Sequence, residues 1–240
     1  MTNLVPPRLL QTCVSTADRH MPLRNGGPSY NDISPGYVAS SANRWHLSMH
    51  KCRNEPAKAT LAECERLWLD DWIPTFLRPG FSRTQFQLLR SEPGPGGADQ
   101  GFHQDNSRRG LTVLVPLCDV PVERGPTQLL LGSHALTGAG GGRRGRRGAG
   151  GGAGLVTEAF DNLGAVLPRA SLHAPALRKG DVLVYDSRVL HRGLENRDSE
   201  ARPCLVFRYD EEGCAPPGHG PLSTVVFRQI GNALALLARL

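Results

Sequence analysis

The chain has 240 residues, 39% hydrophobic and 21% charged, which suits a single soluble globular domain with a substantial core. The formal charge is +6, but Arg143, Arg144, Arg146 and Arg147 sit in one glycine-rich tract and without them the balance falls to +2. The basic character therefore belongs to a loop, and a nucleic-acid partner is not expected. No run approaches the ~18 apolar residues of a membrane helix. The N-terminus has no apolar leader core either, which points to an intracellular, cytoplasmic protein; its lack of acids before Asp18 is also compatible with organelle targeting. None of the six cysteines forms a Cys-x-x-Cys pair, so a zinc site of usual spacing is not expected and a reducing compartment is the simpler setting.

Residues 1–55 carry turn signals at Asn25-Gly26-Gly27-Pro28 and Ser34-Pro35-Gly36, and read as an irregular N-terminal arm. His46 and His50 lie four apart, as on one helix face, but lack the glutamate and third ligand of a zinc helix. A helix is expected from about Thr60 to Trp72. Thr60 and Glu63 have capping-box spacing, Leu61, Cys64, Leu67, Trp68 and Trp72 form an apolar stripe, and Pro74 ends the run.

From Phe81 the period changes to two. Thr84–Leu89 reads as a strand on which Gln85 and Gln87 share a face. After a Pro/Gly loop come His103 and Asp105, two residues apart and so on one face if the segment is extended. Leu111–Leu117 is a nearly continuous apolar strand, consistent with a sandwich core, on which Thr112 and Leu114 share one face, so that Thr112 is expected to look inward. Thr127–Leu131 is a further strand. Gly132-Ser133-His134 reads as a turn rather than a metal site.

Residues 138–154 are low in complexity, ten of the 17 being glycine. Such a segment buries too little apolar surface to offset its ordering entropy, so a long flexible loop is expected there. Ser171–Arg178 and Val182–Tyr185 are the next strands, followed by His191, which Arg188 and Arg192 flank. Arg202 opens a strand to Phe207 and lies eleven residues beyond His191. Gly231–Leu240 reads as a terminal helix.

Two histidines and one carboxylate are the donor set of the facial triad of non-haem Fe(II) oxygenases, which leaves coordination positions open. An arginine held near such a site suits bidentate binding of a carboxylate. Taken together, Phe102-His103-Gln104-Asp105, Leu111–Asp119, Gly125-Pro126-Thr127-Gln128, Leu131-Gly132-Ser133-His134, Gly180–Asp186, His191, Asn196 and Arg202 resemble the phytanoyl-CoA dioxygenase (PhyH) family of Fe(II)/2-oxoglutarate-dependent oxygenases. The resemblance runs from roughly Phe81 to Tyr209.

It implies a mainly β fold with flanking helices, a double-stranded β-helix (jelly roll, cupin-like) over residues 56–240. It implies that His103, Asp105 and His191 hold Fe(II) and that Arg202 pairs with the distal carboxylate of 2-oxoglutarate. Gln87 and Thr112 are the further co-substrate contacts expected. The activity implied is hydroxylation of a small organic or acyl substrate by O2, with 2-oxoglutarate decarboxylated to succinate and ascorbate as an accessory reductant. Two other readings stay open at this level: a jelly roll that binds a ligand without catalysis, and an RNA-associated protein acting through the Arg-Gly loop.

Overall fold

The structure, a computed structural model, describes residues 5–20, 37–41, 43–48, 62–63, 66, 73–94, 97–137, 152–213 and 221–238. Within these, the chain runs α1 (Pro7–His20), β1 (Tyr37–Ser41), β2 (Arg44–Ser48), α2 (Ile73–Phe76), β3 (Ser82–Ser91), β4 (Gly110–Pro116), β5 (Thr127–Leu131), α3 (Gly152–Val166), β6 (Ser171–His173), β7 (Leu183–Asp186), β8 (His191–Gly193), β9 (Arg202–Asp210) and α4 (Pro221–Leu237). The strands form a six-stranded sheet in the order β1-β2-β3-β9-β4-β7 and a three-stranded sheet in the order β6-β5-β8. Neighbours pair antiparallel throughout. This is the expected double-stranded β-helix, with a cavity between the sheets.

Register decides what faces the cavity. Gln85, Arg208, Thr112 and Tyr185 lie in one row across β3, β9, β4 and β7, and Gln87, Val206, Leu114 and Leu183 in the next. The alternate residues face away: Phe86 is opposite Phe207, which is opposite Val113. The Phe86 and Phe207 rings stack at 4.5 Å, and all three residues are buried. β4 is thus apolar almost throughout because both of its faces are covered, one by packing and one by the cavity wall.

The small sheet is backed by α3 and α4. Phe102, Leu130, Leu136 and Leu190 from the sheet side meet Ala159 and Val166 of α3 and Phe227, Ile230 and Leu234 of α4 in one cluster. The buried positions on α4 recur at three and four residues, the period of a helix face.

Several expectations need correction. Residues 1–55 are not an irregular arm where described: they hold α1 and the β1–β2 hairpin, which extends the large sheet through β3. The turn-rich residues 21–36, which prompted the arm reading, lie outside the described residues. His46 is on strand β2 rather than a helix, and His50 is not described. Of the helix expected over Thr60–Trp72, the described Ala62, Glu63 and Arg66 are helical. Pro74 does not end helical structure there; it sits in the first turn of α2, where its missing N–H costs nothing. The 138–154 loop ends early, since residues 152–154 already belong to α3; its remaining residues are not described. The glycines hid a helix whose period is visible only from Ala159 to Val166. The strand expected over Ser171–Arg178 stops at His173, ahead of Pro175, and the terminal helix begins ten residues earlier than expected, at Pro221.

Gly125 has a φ of +68°, and an added Cβ would lie 2.2 Å from the Glu195 carbonyl oxygen and 2.5 Å from that of Leu194. Gly213 has a similar φ of +73° with nothing near its Cβ position. Gly125→Ala should therefore lower stability by about 2–4 kcal/mol, strain and clash together, and Gly213→Ala by only about 1 kcal/mol from strain. Paired denaturant titrations check this, and equal losses would mean the Leu194–Glu195 turn yields freely.

Candidate metal centre and co-substrate cavity

His103 and His191 come from facing backbone segments. His103 donates its N–H to the His191 carbonyl at 3.0 Å, and His191 donates back at 2.9 Å. That bridge is the only strand-like pairing of the His103 segment among the described residues, so His103-x-Asp105 is not the regular strand expected. Beyond it the chain turns away, and the N–H groups of Asp105 and Asn106 both bond to Ser187 O.

The ligand atoms of His103, Asp105 and His191 lie within 4.8 Å of one another. Each imidazole has Nδ1 close to the carbonyl two residues before it, His103 to Gly101 at 2.9 Å and His191 to Val189 at 3.0 Å. Those contacts suit Nδ1–H as donor and leave both Nε2 lone pairs for a cation. His191 Nε2 is 3.7 Å from Asp105 Oδ1.

The other carboxylate oxygen is already engaged. Asp105 Oδ2 accepts from Thr112 Oγ1 at 2.6 Å and from Tyr185 OH at 3.3 Å. Arg208 Nη1 holds the Asp105 backbone carbonyl at 3.0 Å. Burial pushes the Asp105 carboxyl upward, but the two histidines, Thr112 and Arg208 outweigh it and hold it below its ordinary range. Burial, and then the Asp105 charge, push Tyr185 well above a normal phenol, so its O–H remains a donor. With Oδ2 so restrained, Oδ1 is the oxygen presented toward His191.

The triad opens on a cavity of about 420 Å³ that Arg44, Gln85, Gln87, Gln100, Leu114 and Arg202 also line. Arg202 is 3% exposed. Its Nη2 donates to Ser91 Oγ at 3.0 Å, while Nε and Nη1 are buried without a partner. Burial lowers its pKa, and no carboxylate is among the groups that oppose the shift. A buried guanidinium with two unused N–H groups calls for an anion. The residues present therefore fit both groups: two imidazoles and a carboxylate for a divalent iron, and the arginine for the carboxylate of an organic acid.

Of the six site residues expected from sequence, the structure brings His103, Asp105 and His191 together and puts Arg202 and Gln87 on the cavity wall. Thr112 is corrected. It is fully buried and its hydroxyl is donated to Asp105, so it backs a residue of the candidate triad instead of lining the cavity. His134 is exposed and lies outside the triad. Sequence reasoning missed Tyr185, Arg208 and Arg44. The first two share the row of Thr112, which strand alternation could have revealed; Arg44 lies in the stretch read as an arm. It also missed Ser133, which accepts the Leu190 N–H at 2.8 Å and so fixes the residue before His191.

A jelly roll with two histidines and one carboxylate at the mouth of an arginine-bearing cavity has the fold and donor set of the Fe(II)/2-oxoglutarate-dependent enzymes. The profile of the phytanoyl-CoA dioxygenase (PhyH) family matches residues 29–204, and the chain belongs to that family. Solved structures of similar fold include SnoN, a non-haem α-ketoglutarate-dependent epimerase from nogalamycin biosynthesis. It is 16% identical with a TM-score of 0.57, over 88% of this chain and 76% of that one. AviO1 from Streptomyces viridochromogenes is 17% identical with a TM-score of 0.56, over 90% of each chain. HygX from Streptomyces hygroscopicus, solved with nickel and 2-oxoglutarate bound, is 14% identical with a TM-score of 0.53, over 88% of this chain and 81% of that one.

The restraint on Oδ2 has a measurable weight. Thr112→Val should weaken Fe(II) binding by roughly 10–100-fold, as loss of a partner behind a ligand does. Tyr185→Phe, whose bond is longer, should cost less. Anaerobic Fe(II) titration with thermal melting of the same samples checks the order. Unchanged affinity in Thr112→Val would show that the carboxylate needs no such support.

Proposed function

We propose that this chain is an Fe(II)/2-oxoglutarate-dependent dioxygenase that hydroxylates a small organic or acyl substrate. The observation that carries this reading is the coincidence, in one cavity, of the His103–Asp105–His191 cluster with a buried arginine, Arg202, whose Nε and Nη1 have no partner.

His103 and His191 would hold the iron through Nε2, and Asp105 through Oδ1. Arg202 would bind the distal carboxylate of 2-oxoglutarate, with Gln87 on the wall beside it. Iron, 2-oxoglutarate and O2 supply the oxidation when bound, and the oxo acid leaves as succinate and CO2. The chain's own contribution is positional. The backbone bridge fixes the two imidazoles relative to each other, Thr112 and Tyr185 fix the carboxylate, and the Leu114 and Val206 side chains line the wall between the metal end and Arg202. No helix among the described residues is long and apolar enough to cross a membrane. SnoN, a structure of similar fold, is described as an epimerase, so the oxidation outcome is something to measure, and product analysis after succinate release identifies it.

His103→Ala and Asp105→Ala should each lose stoichiometric Fe(II) and all succinate formation while melting within a few degrees of the parent. Full iron occupancy in both would remove the metal assignment. Arg202→Ala should cost about 2–5 kcal/mol of 2-oxoglutarate affinity in the oxygen-free Fe(II) protein, and Arg202→Lys less, because it keeps the charge and loses only the fork. Unchanged 2-oxoglutarate affinity in Arg202→Ala would place the distal carboxylate elsewhere.

A further inference from the structure

Arg208 stands beside the Asp105 carboxylate with every opportunity to neutralise it. It is paired directly with Thr112 across β9 and β4, and directly paired residues of an antiparallel sheet project from the same face. Thr112 is the residue whose hydroxyl holds Asp105 Oδ2. The guanidinium and the carboxylate are therefore neighbours on either side of one threonine, and Arg208 Nη1 already reaches the Asp105 carbonyl at 3.0 Å. The Arg208 side chain is only 12% exposed, so salt and water screen little of the attraction. Left alone, a guanidinium so placed would close on the carboxylate with its fork. A carboxylate paired in that way has fewer lone pairs to offer a cation.

A second carboxylate stands against this. Asp210 lies two residues on along β9, on the same face, and is 1% exposed. Its Oδ2 is 3.3 Å from Arg208 Nε and accepts from the Thr84 hydroxyl, to which Arg208 Nε also donates at 3.3 Å. Its Oδ1 accepts from Asn106 Nδ2 at 2.7 Å. Asn106 follows Asp105 directly and is fully buried, and its own N–H is fixed on Ser187 O at 3.0 Å. The Asp210 carboxylate has room because its partner on β4 is Gly110, where a Cβ would lie 2.5 Å from Asp210 Oδ1. One buried anion thus grips the Nε edge of Arg208 with one oxygen and the residue after Asp105 with the other.

We propose that Asp210 is a positioning residue for the candidate metal centre: it holds the Arg208 guanidinium on the Asp105 main-chain carbonyl and off the Asp105 carboxylate, which keeps Oδ1 open to a cation. This rests on the metal reading above and adds to it a residue that the triad does not contain. With Asp210 in place, one cation lies between two anions and is answered by the one that has no part in the triad. Without it, Arg208 is a largely buried cation whose remaining carboxylate neighbour is Asp105, and removing one partner of such a pair leaves a charge that must be answered elsewhere.

The consequence is a reversal that a purely structural role for Asp210 would not give. Fe(II) is titrated without oxygen into the full chain, and Co(II) in parallel, whose visible absorption reports the ligand set; each sample is also melted. Asp210→Asn keeps the shape and removes the charge. It should bind both ions roughly 10–100-fold more weakly and change the Co(II) spectrum. Arg208→Gln in that background should recover most of the loss, although the double variant has given up more hydrogen bonds than the single one. If Asp210→Asn does not fold, Thr84→Val is the test, because it takes away the hydroxyl that Asp210 and Arg208 share; it should give a smaller loss of the same kind, relieved by the same change at Arg208. Unchanged metal affinity in the folded variant, or a double variant that binds no more tightly than the single one, overturns the role of Asp210 and leaves the metal reading standing. A parent protein that binds neither ion overturns the metal reading itself.

Discussion

The geometry of the centre depends on how the Asp105 side chain is held. Asp105 sits on a segment that leaves the small sheet immediately after its bridge to His191, so no regular pairing of its own fixes it. Three strands of the large sheet hold it instead: Thr112 of β4 and Tyr185 of β7 through Oδ2, Arg208 of β9 through the backbone carbonyl. A half-buried carboxylate beside two imidazoles is costly unless its lone pairs are answered. Here the answer comes from the opposite layer. The same bonds that orient this carboxylate therefore tie the two sheets together at the cavity mouth, and Thr112, a polar residue on an otherwise apolar β4, is matched to that anion.

The rest of the cavity grades from this anionic end to a cationic one. Moving along β9 from Arg208 through Val206 and Cys204 to Arg202, the wall passes from groups that serve Asp105, through apolar surface, to a guanidinium without a carboxylate partner. The Cys204 thiol in that interval is pushed up to about 11 by burial, so it stays neutral and leaves the polarity intact. A ligand with a metal-binding head and a carboxylate tail is matched by this order of side chains.

Much of this was legible in the sequence because it depends on short-range rules. Alternation put Gln85 with Gln87 and Thr112 with Leu114 on shared faces, and the apolar run Leu111–Leu117 announced a strand of the sandwich core. His103, Asp105 and His191 were recognisable as a donor set by residue type and order, and Arg202 by its place at the start of a strand. What was not legible depends on pairings that no local pattern specifies. Thr112 was rightly turned inward yet given the wrong partner, because alternation gives a face and not a neighbour. Arg44 was lost because the Gly/Pro-rich residues before it suggested an arm, whereas its position follows from β2 adding to the edge of β3. Helix α3 was masked by the glycines preceding it.

The contact between α4 and the metal-bearing segment reaches beyond stability. An added Cβ at Gly231 would lie 2.4 Å from Phe102 Cβ and 2.7 Å from Cγ, the near end of a side chain that cannot swing aside, and Arg192 lies 4.6 Å from the centre of the same ring. Phe102 is the residue before His103, so the helix presses on a wedge set directly behind a histidine of the candidate triad. Positions 102 and 231 are consequently not free to drift alone over evolutionary time. A lineage that acquires a side chain at 231 must give up volume at 102 or let the helix back away. Either path is felt at His103, which makes the seat of the C-terminal helix part of what positions the candidate triad.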